Sequence, residues 1–313
     1  MAPYSIAIIG LGKIAEDQHV PVIGRSDRFT LAAIVSGRGA TTGGVPTFRT
    51  AAELYAAQPK LDAVAICTPP QVRYALARQA LNAGKHVMLE KPPALTVSEL
   101  TDLRIHAADL GRTLFTTWHS QHNAAVDEAK AQLAGQKVSR LHIEWKEDVR
   151  RWHPGQAWIW EAGGFGVFDP GINALSILTR IMPGPVFVRD AEIVVPRNRA
   201  MPIAASLRFA SPMATEGAEL TAEFDWRQEG EQTWTIMVET EGGSRLTLEA
   251  GGSRLVVDGS LVTSEPMAEY EGLYARFAEL LATRTSAVDD APFQLVADAF
   301  LVGRRVETEP FED

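Results

Sequence analysis

Tyr4-Ser5-Ile6-Ala7-Ile8-Ile9-Gly10-Leu11-Gly12-Lys13-Ile14-Ala15 decides the fold. The apolar run Tyr4 to Ile9 breaks at Gly10-Leu11-Gly12 and continues to Ser26 as a mixed polar and apolar segment, which reads as strand, tight turn and helix. The pattern is G-x-G-x-x-A. At such a turn two glycines allow backbone to approach a pyrophosphate closely, and the helix N-terminus that follows offers N–H groups with no helical acceptor. Gly10, Leu11, Gly12, Lys13 and Ile14 are therefore candidate dinucleotide contacts.

Outward from this stretch, Phe29 to Val35, Ala63 to Ile66, His86 to Leu89 and Thr113 to Thr117 repeat the strand signal, with Gln71 to Ala83 and Ser98 to Leu110 as the clearest intervening helices. Short, continuous apolar strands alternating with helices predict a doubly wound parallel sheet covered on both faces, an α/β dinucleotide-binding domain over residues 1–118. Beyond residue 137 the period changes to two. Leu141, Ile143 and Trp145 alternate with polar neighbours, as do Ala218, Leu220, Ala222, Phe224 and Trp226, and then Trp234, Ile236 and Val238. That is the mark of a sheet with one wet face. Gly242-Gly243, Gly251-Gly252 and Asp258-Gly259 supply tight turns, so a sequential antiparallel meander is expected, within an α+β domain at 119–313 that carries an open, mostly antiparallel sheet. Leu273, Phe277, Leu280 and Leu281 share one helix face, and Leu295, Val296, Ala299 and Phe300 another; these last helices belong to the second domain or pack back on the first.

Composition narrows the function classes. The 313 residues exceed what one core usually organises, and 46% hydrophobic against 22% charged residues is ordinary for a globular chain. A net charge of -9 with no basic stripe argues against a nucleic-acid partner. A lone cysteine, Cys67, fits a reducing compartment, and without a leader pattern or an apolar run near the ~18 residues of a membrane helix the expectation is a cytoplasmic protein with no membrane partner.

Two further stretches carry chemistry. The second strand ends in Ser36-Gly37-Arg38 where NAD-selective sites place Asp or Glu, so nothing repels a 2'-phosphate; the serine can hydrogen-bond it and the guanidinium can pair with it. NADP is expected, in preference to NAD. Glu90-Lys91-Pro92-Pro93 follows the strand His86 to Leu89, at the carboxyl edge of the sheet where ligands of such folds bind, which puts Lys91 beside the nicotinamide.

With the glycine motif, Thr68-Pro69-Pro70 and the segment from Gly163-Gly164 to Asp169, this order of motifs resembles the glucose-fructose oxidoreductase, inositol dehydrogenase and rhizopine-catabolism family over essentially the whole chain. Met88-Leu89-Glu90-Lys91-Pro92-Pro93 and Trp158-Ile159-Trp160-Glu161-Ala162-Gly163-Gly164 are most similar to its bacterial branch of L-arabinose and D-galactose 1-dehydrogenases. The resemblance implies oxidation of an anomeric hydroxyl to a lactone, Thr68, Pro69, Glu90 and Lys91 at the cofactor, and pairing of subunits. Many relatives read G-D-x-x-x-H where this chain has Asp169-Pro170-Gly171-Ile172-Asn173. An amide cannot shuttle a proton, so Asn173 is assigned to sugar binding and proton removal to Lys91 or Asp169. Burial and the nicotinamide charge lower the lysine's proton affinity and a neighbouring carboxylate raises it, so the two would titrate as a unit. Asp169 before Pro170 also fits a helix N-cap followed by proline at the first helical position.

Trp118-His119, Glu147 and Arg151-Trp152-His153 are candidates for the sugar pocket, since aromatic faces suit the C–H side of a pyranose and imidazole or carboxylate groups pair with its hydroxyls. His119 and His122 are three apart, but no nearby thiolate or carboxylate completes a ligand set, and no metal is expected. Two other activities stay open: oxidation of a ring hydroxyl of an inositol or polyol, and NADP sensing without turnover.

Overall fold

The computed structural model describes residues 2–312. They form two units, the first running to Trp118 and resumed by Tyr270–Asp290, the second made of His119–Glu269 and the residues from Ala291 on.

The first unit holds a six-stranded parallel sheet of β1 (Tyr4–Ile9), β2 (Phe29–Val35), β3 (Thr47–Phe48), β4 (Ala63–Ile66), β5 (His86–Leu89) and β6 (Leu114–Thr116), in the order β3-β2-β1-β4-β5-β6. Its central strands are buried on both faces, as their unbroken apolar runs require. Strand order reverses beside β1, so Gly10 at its carboxyl end stands at the switch point where ligands of doubly wound sheets bind. The segment read as one helix after Gly12 divides into a wide turn over Ala15–His19 and α1 (Val20–Arg25). The other helices are α2 (Ala51–Ala57), α3 (Pro70–Asn82) and α4 (Val97–Asp109). Thr50 and Thr96 cap α2 and α4 by accepting from the N–H groups of Glu53 and Glu99.

The second unit is built on a nine-stranded mixed sheet: β7 (Val138–Lys146), β8 (Phe187–Pro196), β9 (Ala204–Ala210), β10 (Ala214–Asp225), β11 (Thr233–Thr240), β12 (Arg245–Glu249), β13 (Arg254–Val257), β14 (Ser260–Ser264) and β15 (Arg304–Thr308). The order is β14-β13-β12-β11-β7-β10-β9-β8-β15: β8 to β10 and β11 to β14 pair sequentially and antiparallel as expected, and the meander is corrected only where β7 is inserted and β15 is added. Strand β7 lies between β10 and β11, parallel to the first and antiparallel to the second, and β15 joins β8 in parallel. Alternation fixes which side chains face inward but not where a strand is inserted, so Leu141, Ile143, Leu220, Ala222, Ile236 and Val238 are buried as read while the central place of β7 was not legible. Helices α5 (Ala124–Leu133), α6 (Val149–Trp152) and α7 (Phe168–Ile181) complete the middle of the chain.

Helix α8 (Glu269–Thr283) buries Leu273, Phe277, Leu280 and Leu281 in the core of the first unit, where Phe277 stacks between Phe29 at 5.8 Å and Phe115 at 6.0 Å. Helix α9 (Ala291–Val302) belongs to the second unit and buries Phe293, Leu295, Val296 and Ala299. Phe300, expected on that face, is 39% exposed and meets Phe168 at 5.2 Å. No described helix is long and apolar enough to cross a membrane.

Candidate active site

In the first unit the site residues gather where the strands end. Gly10 has φ +96°, and a Cβ there would lie 2.8 Å from Thr68 Cγ2 and 2.9 Å from the Thr68 amide nitrogen, so only glycine lets β1 turn against the loop after β4. At Gly12 an added Cβ would meet nothing within 4 Å, and helical backbone starts at once, Glu16 N–H donating to the Gly12 carbonyl at 3.1 Å. The Thr68 hydroxyl is buried without a partner. Open space before a glycine turn, a helix start and an orphaned hydroxyl fit the pyrophosphate of a dinucleotide. Leu11 is buried beneath the turn, whereas Lys13 and Ile14 are exposed, Lys13 paired with Asp17. Pro69, also exposed, leads into α3.

The loop after β2 is a small hydrogen-bonded cup. Ser36 Oγ accepts from Ala40 N–H at 3.1 Å, and Arg49, which the sequence reading passed over, donates from its guanidinium to Gly37 O at 2.8 Å. Gly37 and Arg38 are exposed on its rim.

After β5, Glu90 is 3% exposed and Lys91 half-buried. The Glu90 carboxylate accepts from Lys91 N–H at 2.7 Å and from Tyr270 Oη–H at 2.8 Å, and lies 3.2 Å from His19 Nε2. The buried Arg73 guanidinium donates to the carbonyls of Glu90, Pro92 and Thr68, tying the loops after β4 and β5 together. Trp118 is buried with its indole N–H on Asp289 O at 2.9 Å, a packing role.

In the second unit, α7 begins two residues earlier than the capping pattern implied. Its cap is Val167, so Asp169 is no cap but stands inside the first turn, where a carboxylate is favoured by the helix dipole. Gly166, at φ +53°, passes so close to Pro202 that a Cβ would sit 2.3 Å from its carbonyl oxygen, and this contact sets the entry of the helix. Asp169 is 3% exposed, its Oδ2 lies 3.5 Å from His153 Nε2, and the half-buried Asn173 follows one turn later on the same face.

Glu147 follows β7 directly, where the connection from β10 to β11 must cross the end of that strand. Its amide donates to Asp225 O at 2.9 Å and its carbonyl accepts from Gln228 N–H at 3.2 Å. Its buried carboxylate receives two indole N–H groups, Trp226 at 3.3 Å and Trp234 at 3.1 Å. Trp226 packs on the His153 ring at 5.3 Å and Trp234 on Trp152 at 5.6 Å, so Glu147, Trp152, His153 and Asp169 form one cluster with Asn173 beside it. Arg151 is exposed and lies over Trp152 at 4.9 Å. His119 belongs elsewhere: its Nδ1 lies 2.9 Å from Glu269, which also accepts from Asn123 at 2.8 Å. Burial lowers the proton affinity of His122, and Arg180 lowers it further. Trp226 and Trp234 were visible in the sequence only as members of alternating strands, and their shared carboxylate had no local signal.

The family model for GFO_IDH_MocA, described as an oxidoreductase family with an NAD-binding Rossmann fold, matches residues 4–117. A galactose 1-dehydrogenase from Pseudomonas fluorescens is 42% identical over 323 aligned residues, covering 100% of both chains. The chain belongs to the GFO/IDH/MocA oxidoreductase family. As a member of that family it is an oxidoreductase that uses NAD or NADP. Among solved structures, D-galactose-1-dehydrogenase from Rhizobium etli superposes with a TM-score of 0.93 at 50% identity, covering 100% of this chain and 99% of that one. A 3-ketoreductase from Actinomadura kijaniata, solved with TDP-benzene and NADP, has a TM-score of 0.83 at 17% identity over 98% and 99% of the two chains and shares the fold.

Proposed function

We propose that this oxidoreductase removes hydride from the anomeric carbon of D-galactose and L-arabinose, giving the aldonolactone. The observation that carries the reading is full-length likeness, at 42% and 50% identity, to two galactose 1-dehydrogenases. The two sugars share their configuration from C2 to C4 and differ by a hydroxymethyl group at C5, so a pocket that takes one takes the other unless it closes space against that group.

The glycine turn with Thr68 and Pro69 would hold the pyrophosphate, the cup at Ser36, Gly37 and Arg38 the adenosine ribose with its 2'-phosphate, and Glu90 with Lys91 would border the nicotinamide. The chemistry that NAD or NADP supplies when bound is acceptance of the hydride from C1. The chain's own part is to move the proton of the C1 hydroxyl. Lys91 polarises that hydroxyl or takes its proton, and Asp169 is the base or its partner, with His153 against the carboxylate. Asn173 binds sugar hydroxyls in this reading, and the half-buried indoles of Trp152 and Trp234 give an apolar wall for the C–H face of the ring, while His119, paired with Glu269, takes no part in it.

The test is absorbance at 340 nm with NADP and NAD against a panel of aldoses and inositols at neutral to alkaline pH. Turnover of D-galactose and L-arabinose is expected. Turnover of myo-inositol alone means ring-hydroxyl oxidation instead, and cofactor binding without turnover of any sugar means a sensor.

A further inference from the structure

The Glu90 carboxylate sits at the centre of a buried polar group that the reaction as described does not use. One oxygen accepts from the Lys91 N–H at 2.7 Å; the other accepts from Tyr270 Oη–H at 2.8 Å and lies 3.2 Å from His19 Nε2. Behind them, His19 Nδ1 lies 2.8 Å from Tyr274 Oη. The His19 ring meets Tyr270 edge-on at 5.1 Å and Tyr274 at 5.8 Å, so its plane is fixed from both sides. Exposure is 0% for His19 and 3% for each of Glu90, Tyr270 and Tyr274.

Such a group is costly. A buried carboxylate loses several kcal/mol of hydration, and apolar side chains of the same volume usually serve stability as well or better. Three distant parts of the chain nevertheless supply it: the turn after the glycine motif, the strand end before Lys91, and one face of α8. What the group holds that a hydrocarbon cluster could not is the Lys91 peptide. The Arg73 guanidinium grips the carbonyls on both sides of that residue, and Glu90 grips its N–H.

We propose that His19 and Tyr270 are positioning residues for Lys91: through the Glu90 carboxylate they fix the peptide from which the lysine side chain departs, and hence where its ammonium meets the sugar hydroxyl. The inference rests on the reading of Lys91 as a catalytic residue. The electrostatics agree. Burial opposes a charge on His19, but Cys67, Tyr274 and Glu90 outweigh it and raise its proton affinity well above that of a free histidine.

The experiment compares Tyr270→Phe, His19→Ala, His19→Gln, Lys91→Ala and Leu273→Val in NADP reduction by D-galactose at 25 °C, with cofactor dissociation constants from fluorescence titration and thermal midpoints. Tyr270→Phe removes one hydroxyl and keeps the ring, so folding is preserved in the variant that matters most. A side chain displaced by a fraction of an ångström loses much of its orientational advantage, so kcat is expected to fall about ten- to a hundredfold in Tyr270→Phe and His19→Ala, with cofactor binding within about twofold of wild type. His19→Gln keeps an amide donor toward Glu90 and should recover part of that loss. Leu273, buried one turn along the same helix, controls for packing: Leu273→Val should lower the thermal midpoint and leave kcat unchanged. Wild-type kcat in Tyr270→Phe and His19→Ala overturns the inference, as does an equal loss in Leu273→Val. Undiminished kcat in Lys91→Ala removes the assignment of Lys91 itself, a result read separately from the network variants.

Discussion

The imidazole of His153 stands 3.5 Å from the carboxylate of Asp169, on a residue outside the helix that carries the acid. Four residues after the aspartate the same helix carries Asn173, an amide, so the imidazole comes from another element. Asp169→Asn is expected to lower kcat about a hundred- to ten-thousandfold, the usual range for a lost acid–base group, with cofactor affinity unchanged. His153→Gln should cost less, because it removes a partner of the acid and leaves the acid in place. Steady-state kinetics on D-galactose, with fluorescence titration of the cofactor, check both.

Glu147 makes a different prediction, because its carboxylate is satisfied by Trp226 and Trp234. Removing one indole N–H leaves part of a buried charge unpaired, at about 1–3 kcal/mol. Trp234→Phe is expected to lower the urea midpoint by a corresponding amount and to raise KM for the sugar, since Trp152 leans on the same ring.

Cofactor choice follows from the loop after β2. Arg38→Ala is expected to reduce the ratio of kcat/KM for NADP over NAD about tenfold, as the loss of one charge-assisted contact to a phosphate would. Arg49→Ala, which frees Gly37 O, should move the ratio the same way by a smaller factor; kinetics with both cofactors at saturating sugar measure it.

Glu269 sets a pH dependence. Burial pushes its carboxyl up, but the His119 ring, with Ser120 and Asn123, more than reverses this and holds it below the ordinary glutamate value of 4.5. A depressed folded value means that the contribution to stability is present above the unfolded value and is lost as pH falls through the folded one. Glu269→Gln should therefore cost most near pH 7, and the difference from wild type should narrow below about pH 4. Urea midpoints across that range give the result.

The parts of the molecule that the sequence discloses are those whose cause is local. Ile6 to Ile9 with Gly10, and Val87 to Leu89 with Glu90 and Lys91, declare strand and turn by apolar run and by residues that only a turn needs. The antiparallel faces were equally plain in Leu220, Ala222 and Phe224. Strand β15, Arg304-Arg305-Val306-Glu307-Thr308, was missed because it is polar on both faces and largely exposed, so no periodicity marks it. The site was legible where a motif fixes a residue type, and not where it depends on partners far apart in sequence. Glu90 lies 71 residues from His19 and 180 from Tyr270, and no spacing rule connects them. Asp169 before proline pointed to a cap that the helix does not use, since an acid in the first turn carries the same local signature.

The return of Tyr270–Asp290 to the first unit bears on how the protein is made. Ala287 pairs with Phe115 at the edge of the parallel sheet, its amide donating to Leu114 O at 3.1 Å, and Phe277 stacks on both Phe29 and Phe115. A ribosome that has released the first 118 residues has released a nucleotide-binding sheet whose aromatic cover is still some 160 residues from synthesis. Eight of the nine strands of the second sheet, all but β15, must emerge before that cover arrives, so a gene fragment ending at Trp118 carries Phe29 and Phe115 without the ring that stacks on both.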